Sequence, residues 1–285
     1  TGELNIGFPL EGVGRFRVSA MRQRGSYAVV IRYVPQEIPP LSSLSVPAIL
    51  GDLIMEKRGL LLMVGATGAG KSTTLAAMID LRNEMSTGHI LTIEDPVEYL
   101  FKNKKSLVNQ REIGLDTQSL QVALKNALRQ APDVILIGEI RDRETMSAAI
   151  AYAQSGHLCL ATMHANNSHQ ALNRILSFYP VEVRQTMLGD LSSALKAVVS
   201  QRLLRTTTGG RLPAVEVLMN TKLVIARLIA DGTVDRKEGL AHADSPTNLM
   251  WRLQNDFASV TKAPEVEEEH DDEPSFTEIT LDVTH

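Results

Sequence analysis

Apolar and polar positions alternate from Thr1 to Val34, with Leu4, Ile6 and Phe8, then Phe16, Val18 and Ala20, then Val29, Ile31 and Tyr33 on the apolar phase. This period of two, broken by the turn signal Arg24-Gly25-Ser26, predicts a small antiparallel sheet. Pro35, Pro39 and Pro40 then bar both a continued strand and an early helix, which makes residues 37–44 a linker. Ser45 with Pro47 reads as a helix start, followed by an apolar face of Ile49, Leu50, Leu53 and Ile54. Beyond it lie four short apolar runs, Leu60–Val64, Ile90–Ile93, Val134–Ile137 and Leu158–Thr162, separated by helical patterns such as Leu120, Leu124 and Leu128. None of the four alternates, the pattern of parallel strands covered on both faces, so the fold class is α/β with a mostly parallel sheet. Each run ends in a polar or glycine-rich segment, and in such sheets the carboxyl edge is where ligands sit.

After Tyr179-Pro180 a helical stretch is expected through Leu204, then a turn at Thr208-Gly-Gly210, a strand over Ala214–Met219 and a helix over Lys222–Ala230. A last helix is expected from Ser245-Pro246, with Leu249, Leu253 and Phe257 on one face. Glu265–Glu273 is too acidic to bury. The expected organisation is therefore an antiparallel domain over residues 1–36, the linker over 37–44, the main domain over 45–262 and a disordered acidic tail over 263–285. The chain opens at Thr1 directly in strand-like sequence, so the first domain is expected to be the C-terminal part of a larger one.

Composition adjusts this picture in three ways. With 44% apolar residues in 285, a sizeable core can form, yet no apolar run reaches the roughly 18 residues of a membrane span. The single cysteine, Cys159, lies in an apolar run and reads as a core residue of a protein in a reducing cytosol. The net charge of −4 hides an asymmetry, because residues 263–285 hold nine acids and no Lys or Arg. The rest carries 29 basic residues against 33 − 9 = 24 acids, or +5, a weak footprint for nucleic acid.

The strongest chemical signal is Gly65-Ala66-Thr67-Gly68-Ala69-Gly70-Lys71-Ser72, set between an apolar strand and the helix-forming Thr73-Thr-Leu-Ala-Ala-Met-Ile79. Backbone N–H groups of such a loop cradle phosphates, Lys71 holds the β- and γ-phosphates of ATP, and the Ser72 hydroxyl ligates Mg²⁺. Strand Val134–Ile137 leads into Gly138-Glu139-Ile140-Arg141-Asp142, which places Glu139 to orient water on the metal. Ile90–Ile93 leads into Glu94-Asp95-Pro96-Val-Glu98, and Glu94 comes first off the strand as a group to polarise the attacking water. Glu98 reads as a turn cap. On residues alone His157 and His164, which bracket the fourth apolar run, read as hydrogen-bonded structural histidines. Arg17, Arg22, Arg24 and Arg32 read as solvated strand faces, although phosphoryl transfer also needs an arginine.

In order and spacing, Gly65–Thr73, Ile93–Glu98, Ile137–Arg141 and Gly156–Ala165 resemble the Walker A loop, aspartate box, Walker B segment and histidine box of the secretion-type hexameric ATPases. Within these the chain resembles the type IV pilus retraction ATPases of the PilT and PilU kind, from Gly14 to about Val260. Val108-Asn-Gln-Arg-Glu112, Ala127–Asp133 and Ser200-Gln-Arg-Leu203 match as well. The resemblance implies a RecA-like core behind a PAS-like N-terminal domain, ATP and Mg²⁺ as ligands, and a homo-oligomeric ring of six. It implies Glu94 as catalytic base, Glu139 as the Mg²⁺-side acid, His157 and His164 as the histidine-box pair, and Arg17 and Arg32 as arginines supplied to ATP. The C-terminal Ala-Ile-Arg-Asn-Leu-Ile-Arg motif of PilT-like members is replaced by Val224-Ile-Ala-Arg-Leu-Ile-Ala230, and the tail Ser275–Val283 is more similar to the PilU-like, accessory branch. That branch implies twitching motility, a PilT-like partner ATPase, an inner-membrane platform protein, and a cytoplasmic place at the membrane's inner face. A nucleic-acid translocase and a non-catalytic ATP-binding adaptor are the rival readings. The +5 body and the histidine box count against the first, and intact Lys71, Glu94 and Glu139 against the second.

Overall fold

The computed structural model describes residues 2–11, 13–34, 37–220, 235–237 and 250. The helices expected over 222–230 and from 245, and the acidic tail, lie outside the described residues.

Strands β1 (Glu3–Leu10), β2 (Gly14–Gln23) and β3 (Ser26–Val34) form an antiparallel sheet in that order. Arg24 and Gly25 both take positive φ, 47° and 81°, as a two-residue hairpin turn requires to follow the twist of its strands. The register sets Phe16 opposite Tyr33, whose rings meet edge-on at 5.5 Å, and Arg17 opposite Arg32.

The second sheet grows from α1 (Ile49–Ile54) onward through β4 (Gly59–Val64), α2 (Lys71–Met85), β5 (Gly88–Glu94), β6 (Ser106–Glu112), α3 (Leu120–Ala127), β7 (Val134–Ile137), α4 (Arg143–Gln154) and β8 (Leu158–Met163). It ends with α5 (Ser168–Ser177), α6 (Val181–Ala194), β9 (Leu195–Arg205) and β10 (Arg211–Met219). Its seven strands run in the order β10-β9-β4-β8-β7-β5-β6, all parallel except β10 on β9. Both sheets belong to one compact unit, Thr1–Val224.

Strand β4 shows why the apolar runs do not alternate. Leu60, Leu62 and Val64 enter one core layer with Leu124, Met146, Ile150 and Ile175, while Leu61 and Met63 enter the opposite layer with Leu50, Leu53, Leu75 and Met78. Helices cover both faces, so every position of the strand is buried. Truncating one such leucine to alanine removes about 2–5 kcal/mol by lost transfer energy and cavity. Cys159 lies in the same core, fully buried, and burial pushes its thiol pKa well up.

Four expectations change. Residues 195–204 are strand β9 and not a continued helix, because Ala197, Val198 and Val199 are buried on both faces beside β4. Ser106–Glu112 is an additional parallel edge strand. The first helix of this sheet starts only at Ile49: Ser45 has a left-handed φ of 53°, and no side chain caps the helix. Helix α3 ends at Ala127, leaving Leu128 exposed in a 3₁₀ turn. Among the described residues no helix is long and apolar enough to cross a membrane.

Candidate active site

Between β4 and α2 the chain makes the tight loop Gly65–Gly70. Gly65 has φ 155°, and a Cβ there would lie 2.4 Å from the carbonyl oxygen of Gln201, so only glycine lets β9 approach the loop this closely. Gly70 precedes α2 with φ 83° and offers no side-chain cap, which leaves the helix's first N–H groups open to an anion. Lys71 opens the helix and is 8% exposed. Its Nζ donates to the carbonyls of Gly65 at 2.8 Å and Ala66 at 3.0 Å. Burial lowers its pKa, opposed by the charges of Glu139 and Glu98.

Glu94 is the last residue of β5. Its carboxylate accepts from Thr92 Oγ1 at 2.7 Å, and at 3.4 Å from both Gln110 Nε2 and the backbone N–H of Glu98. Enclosure by protein nonetheless outweighs those bonds and pushes its pKa above the usual carboxylate range. Glu139 lies two residues past β7. Arg141 holds one of its oxygens at 2.6 Å, and the Nε2 of His164 lies 3.2 Å from the other. The strand end carrying Glu139 is pinned by β8: Thr162 Oγ1 donates to the Gly138 carbonyl, and Ile140 N–H donates to Thr162 O at 2.9 Å.

These groups face one another across a cleft of about 530 Å³ at the carboxyl edge of the sheet, lined among others by Arg17, Thr67, Lys71, Ser72, Glu94 and Glu139. A glycine-rich loop, a lysine, a hydroxyl and two carboxylates at the ends of separate strands make up the equipment for nucleotide binding and phosphoryl transfer.

A family model described as type II/IV secretion system protein matches residues 2–233. The chain is 47% identical over 283 residues to the type IV pilus ATPase PilU of Pseudomonas aeruginosa, an alignment covering 88% of this chain and 74% of that protein. The chain belongs to the PilT/PilU family of pilus ATPases. It is also 40% identical over 222 residues to the type IV pilus retraction ATPase PilT of the same organism, covering 78% of this chain and 64% of that one. Among solved structures, the pilus retraction motor PilT with bound ADP superposes with a TM-score of 0.77 at 40% identity, over 93% of this chain and 79% of that chain.

For a member of this family, the residues its motifs imply are brought together unevenly. Thr67, Gly68, Lys71, Ser72, Glu94, Glu139, His164 and Arg17 line the cleft. Gly65, Ala66, Ala69 and Gly70 complete the loop, and Thr73 Oγ1 bonds the Tyr99 hydroxyl at 2.9 Å. His157 is not in the cleft. It precedes β8 whereas His164 follows it, so the two stand at opposite sheet edges, on the order of 20 Å apart along the strand. The Nδ1 of His157 lies near Ser155 Oγ at 3.1 Å and the Tyr152 carbonyl at 3.3 Å, a helix-end contact. Arg32 faces Arg17 across the β2–β3 pair but does not line the cleft.

For Mg²⁺ the donor set fits. Among the described residues no three His, Cys, Asp or Glu side chains gather into a metal cage. Mg²⁺ in nucleotide sites is held by one or two protein oxygens, by phosphates and by water, and Ser72 and Glu139 supply such oxygens in one cleft.

Three site residues have roles that the sequence alone does not assign. Thr92 and Gln110 both bond Glu94, and Gln110 also ties the segment after it through Tyr99 O at 2.8 Å and Phe101 N at 2.9 Å. Arg141 pairs with Glu139. The matching segments Val108–Glu112 and Ile137–Arg141 contain Gln110 and Arg141, whereas Thr92 lies inside the apolar run Ile90–Ile93 with no motif to mark it.

Proposed function

We propose that this chain is an ATP-hydrolysing motor of type IV pilus retraction, of the accessory PilU-like kind that works beside a PilT-like ATPase. The observation that carries the reading is the gathering of Lys71, Ser72, Glu94 and Glu139 on one cleft. The phosphate loop and the N-terminus of α2 receive the β- and γ-phosphates, and Lys71 turns from the Gly65 and Ala66 carbonyls to the phosphate oxygens. Mg²⁺, when bound, neutralises charge on the β- and γ-oxygens. Ser72 offers it a hydroxyl and Glu139 orients its water. Glu94 holds the attacking water, and its raised pKa makes its carboxylate a stronger proton acceptor than a solvated one. His164 and Arg141 fix the Glu139 carboxylate, and Arg17 brings positive charge from the first sheet.

The working form in this reading is a homo-oligomeric, six-membered ring in the cytoplasm, held to the inner membrane through the pilus platform protein. Likeness to PilU and PilT supports retraction as the direction, and nucleic acid is not a partner. The test is ATP turnover by the purified chain alone and with a PilT-like ATPase, together with restoration of twitching in cells lacking their PilU. Turnover in either condition together with restored twitching is expected. No turnover in both conditions and no restoration would leave an ATP-binding adaptor.

A further inference from the structure

Gln201 is a buried amide outside the motifs that name the site, 2% exposed, with one end of its side chain on the phosphate loop and the other on the first turn of α2. Ser200 is the register partner of Val64, so Gln201 is the residue of β9 that runs on beside Gly65. Its Nε2 donates to the carbonyl of Ala69 at 2.9 Å, and its Oε1 accepts from Thr74 Oγ1 at 2.9 Å. The amide's orientation is settled chemically, because a carbonyl oxygen can only accept and the nitrogen must face Ala69. Gln201 also fills the space two loop glycines leave. Its own carbonyl lies 2.4 Å from where a Gly65 Cβ would be, and its Nε2 lies 2.8 Å from a Gly70 Cβ.

The same strand end reaches the loop after β8. Ser200 Oγ at 3.3 Å and the Arg202 guanidinium at 2.9 Å both donate to the carbonyl of Asn166, two residues beyond His164. One short segment thus ties the loop that cradles phosphate to the loop that carries His164.

We propose that Gln201 is a positioning residue for the nucleotide, holding the phosphate loop open in its anion-binding shape through paired bonds to Ala69 and Thr74. This rests on the ATPase reading above. Gln201 lines no part of the cleft that holds Lys71, Glu94 and Glu139, so its effect passes through the loop and appears in affinity. A phosphate loop has no core of its own to hold its shape. Its carbonyls must point away from the anion, and Gln201 occupies the Ala69 carbonyl on that side. Replacing the amide with a carboxylate sets an oxygen against the Ala69 oxygen, a repulsion that a merely space-filling residue would not feel.

The test uses a fluorescent ADP and the full chain. Dissociation constants and melting temperatures are measured for wild type, Gln201→Leu, Gln201→Glu and Thr74→Val, with Lys71→Ala as the control for the nucleotide site itself. Gln201→Leu keeps the volume and is expected to weaken ADP binding about tenfold, the size of one to two buried hydrogen bonds. Gln201→Glu should bind more weakly still although it is closer in shape, and Thr74→Val should lose roughly half as much on the logarithmic scale as Gln201→Leu. Wild-type affinity in Gln201→Leu, with Lys71→Ala binding weakly, overturns the proposal and leaves the ATPase reading standing. So does a fall in melting temperature with the dissociation constant unmoved. A wild type that binds no ADP removes both. If Gln201→Leu does not fold, Thr74→Val decides, since a wild-type dissociation constant there refutes the paired bond.

Discussion

The Nε2 of His164 lies 3.2 Å from one carboxylate oxygen of Glu139 while Arg141 holds the other, so the acid at the end of β7 is fixed from two strands at once. A carboxylate held at both oxygens keeps one orientation. His164→Ala should therefore act through the metal, raising the Mg²⁺ concentration for half-maximal turnover about 10–100-fold, in line with other residues that orient a metal's acid. His157→Ala should leave the Mg²⁺ dependence where it is. A magnesium titration of ATPase activity for both variants checks the pair.

The raised pKa of Glu94 has consequences for rate and stability. If the ionised form accepts the proton from water, turnover rises with pH through that pKa, and the acid limb lies above the ordinary glutamate value of about 4.3. Thr92 donates to the carboxylate and favours its ionised form, so Thr92→Val should move the limb to higher pH. Rate profiles against pH for the two proteins measure the shift.

For stability the sign runs the other way from a salt-bridged acid. The folded state holds the Glu94 proton more tightly than the unfolded chain, so stability contributed by this group is lost as pH rises from the unfolded pKa through the folded one. Glu94→Gln, which cannot ionise, should melt higher than wild type at pH 7. The gap should close at a pH below both values. Melting curves at the two pH values decide it.

Arg17 and Arg32 stand opposite each other on neighbouring strands, an arrangement of like charges that weakens a sheet. Arg17 lines the cleft, so Arg17→Ala should lower turnover tenfold or more, the direction expected when a cation leaves the transferring phosphoryl group. Arg32→Ala should change turnover much less and raise the melting temperature slightly. Mixing Arg17→Ala with Lys71→Ala protein tests whether the arginine serves a neighbouring subunit, since recovered activity requires intact sites built from both.

The parts legible in the sequence were those whose signal is local. Leu60–Val64 and its three fellow runs announced buried parallel strands because helices cover both faces, and the loop Gly65–Ser72 carries its whole meaning in nine residues or fewer. Strand β9 is not legible because its apolar stretch, Leu195 and Ala197–Val199 around Lys196, is short and directly follows α6, where periodicity cannot separate strand from helix. Strand β6 is not legible because it is an edge strand, and its side chains Asn109, Gln110 and Arg111 look like loop composition. Gln201 stands in a matching segment that gives it no role in sequence, since Ala69, 132 residues earlier, becomes its partner only when β9 lies against β4. The two histidines look equivalent in sequence. The direction of β8 separates them, because only its C-terminal end opens on the cleft.

The most direct test measures ATP binding and ATP hydrolysis side by side for wild type, Lys71→Ala and Glu94→Gln, with a PilT-like ATPase added if the chain alone is silent. Lys71→Ala should lose binding, whereas Glu94→Gln should bind ATP as well as wild type and turn it over about 10²–10⁴ times more slowly. Hydrolysis at the wild-type rate by Glu94→Gln, or undiminished binding and turnover by Lys71→Ala, would contradict the assignment of this cleft as the site of ATP hydrolysis.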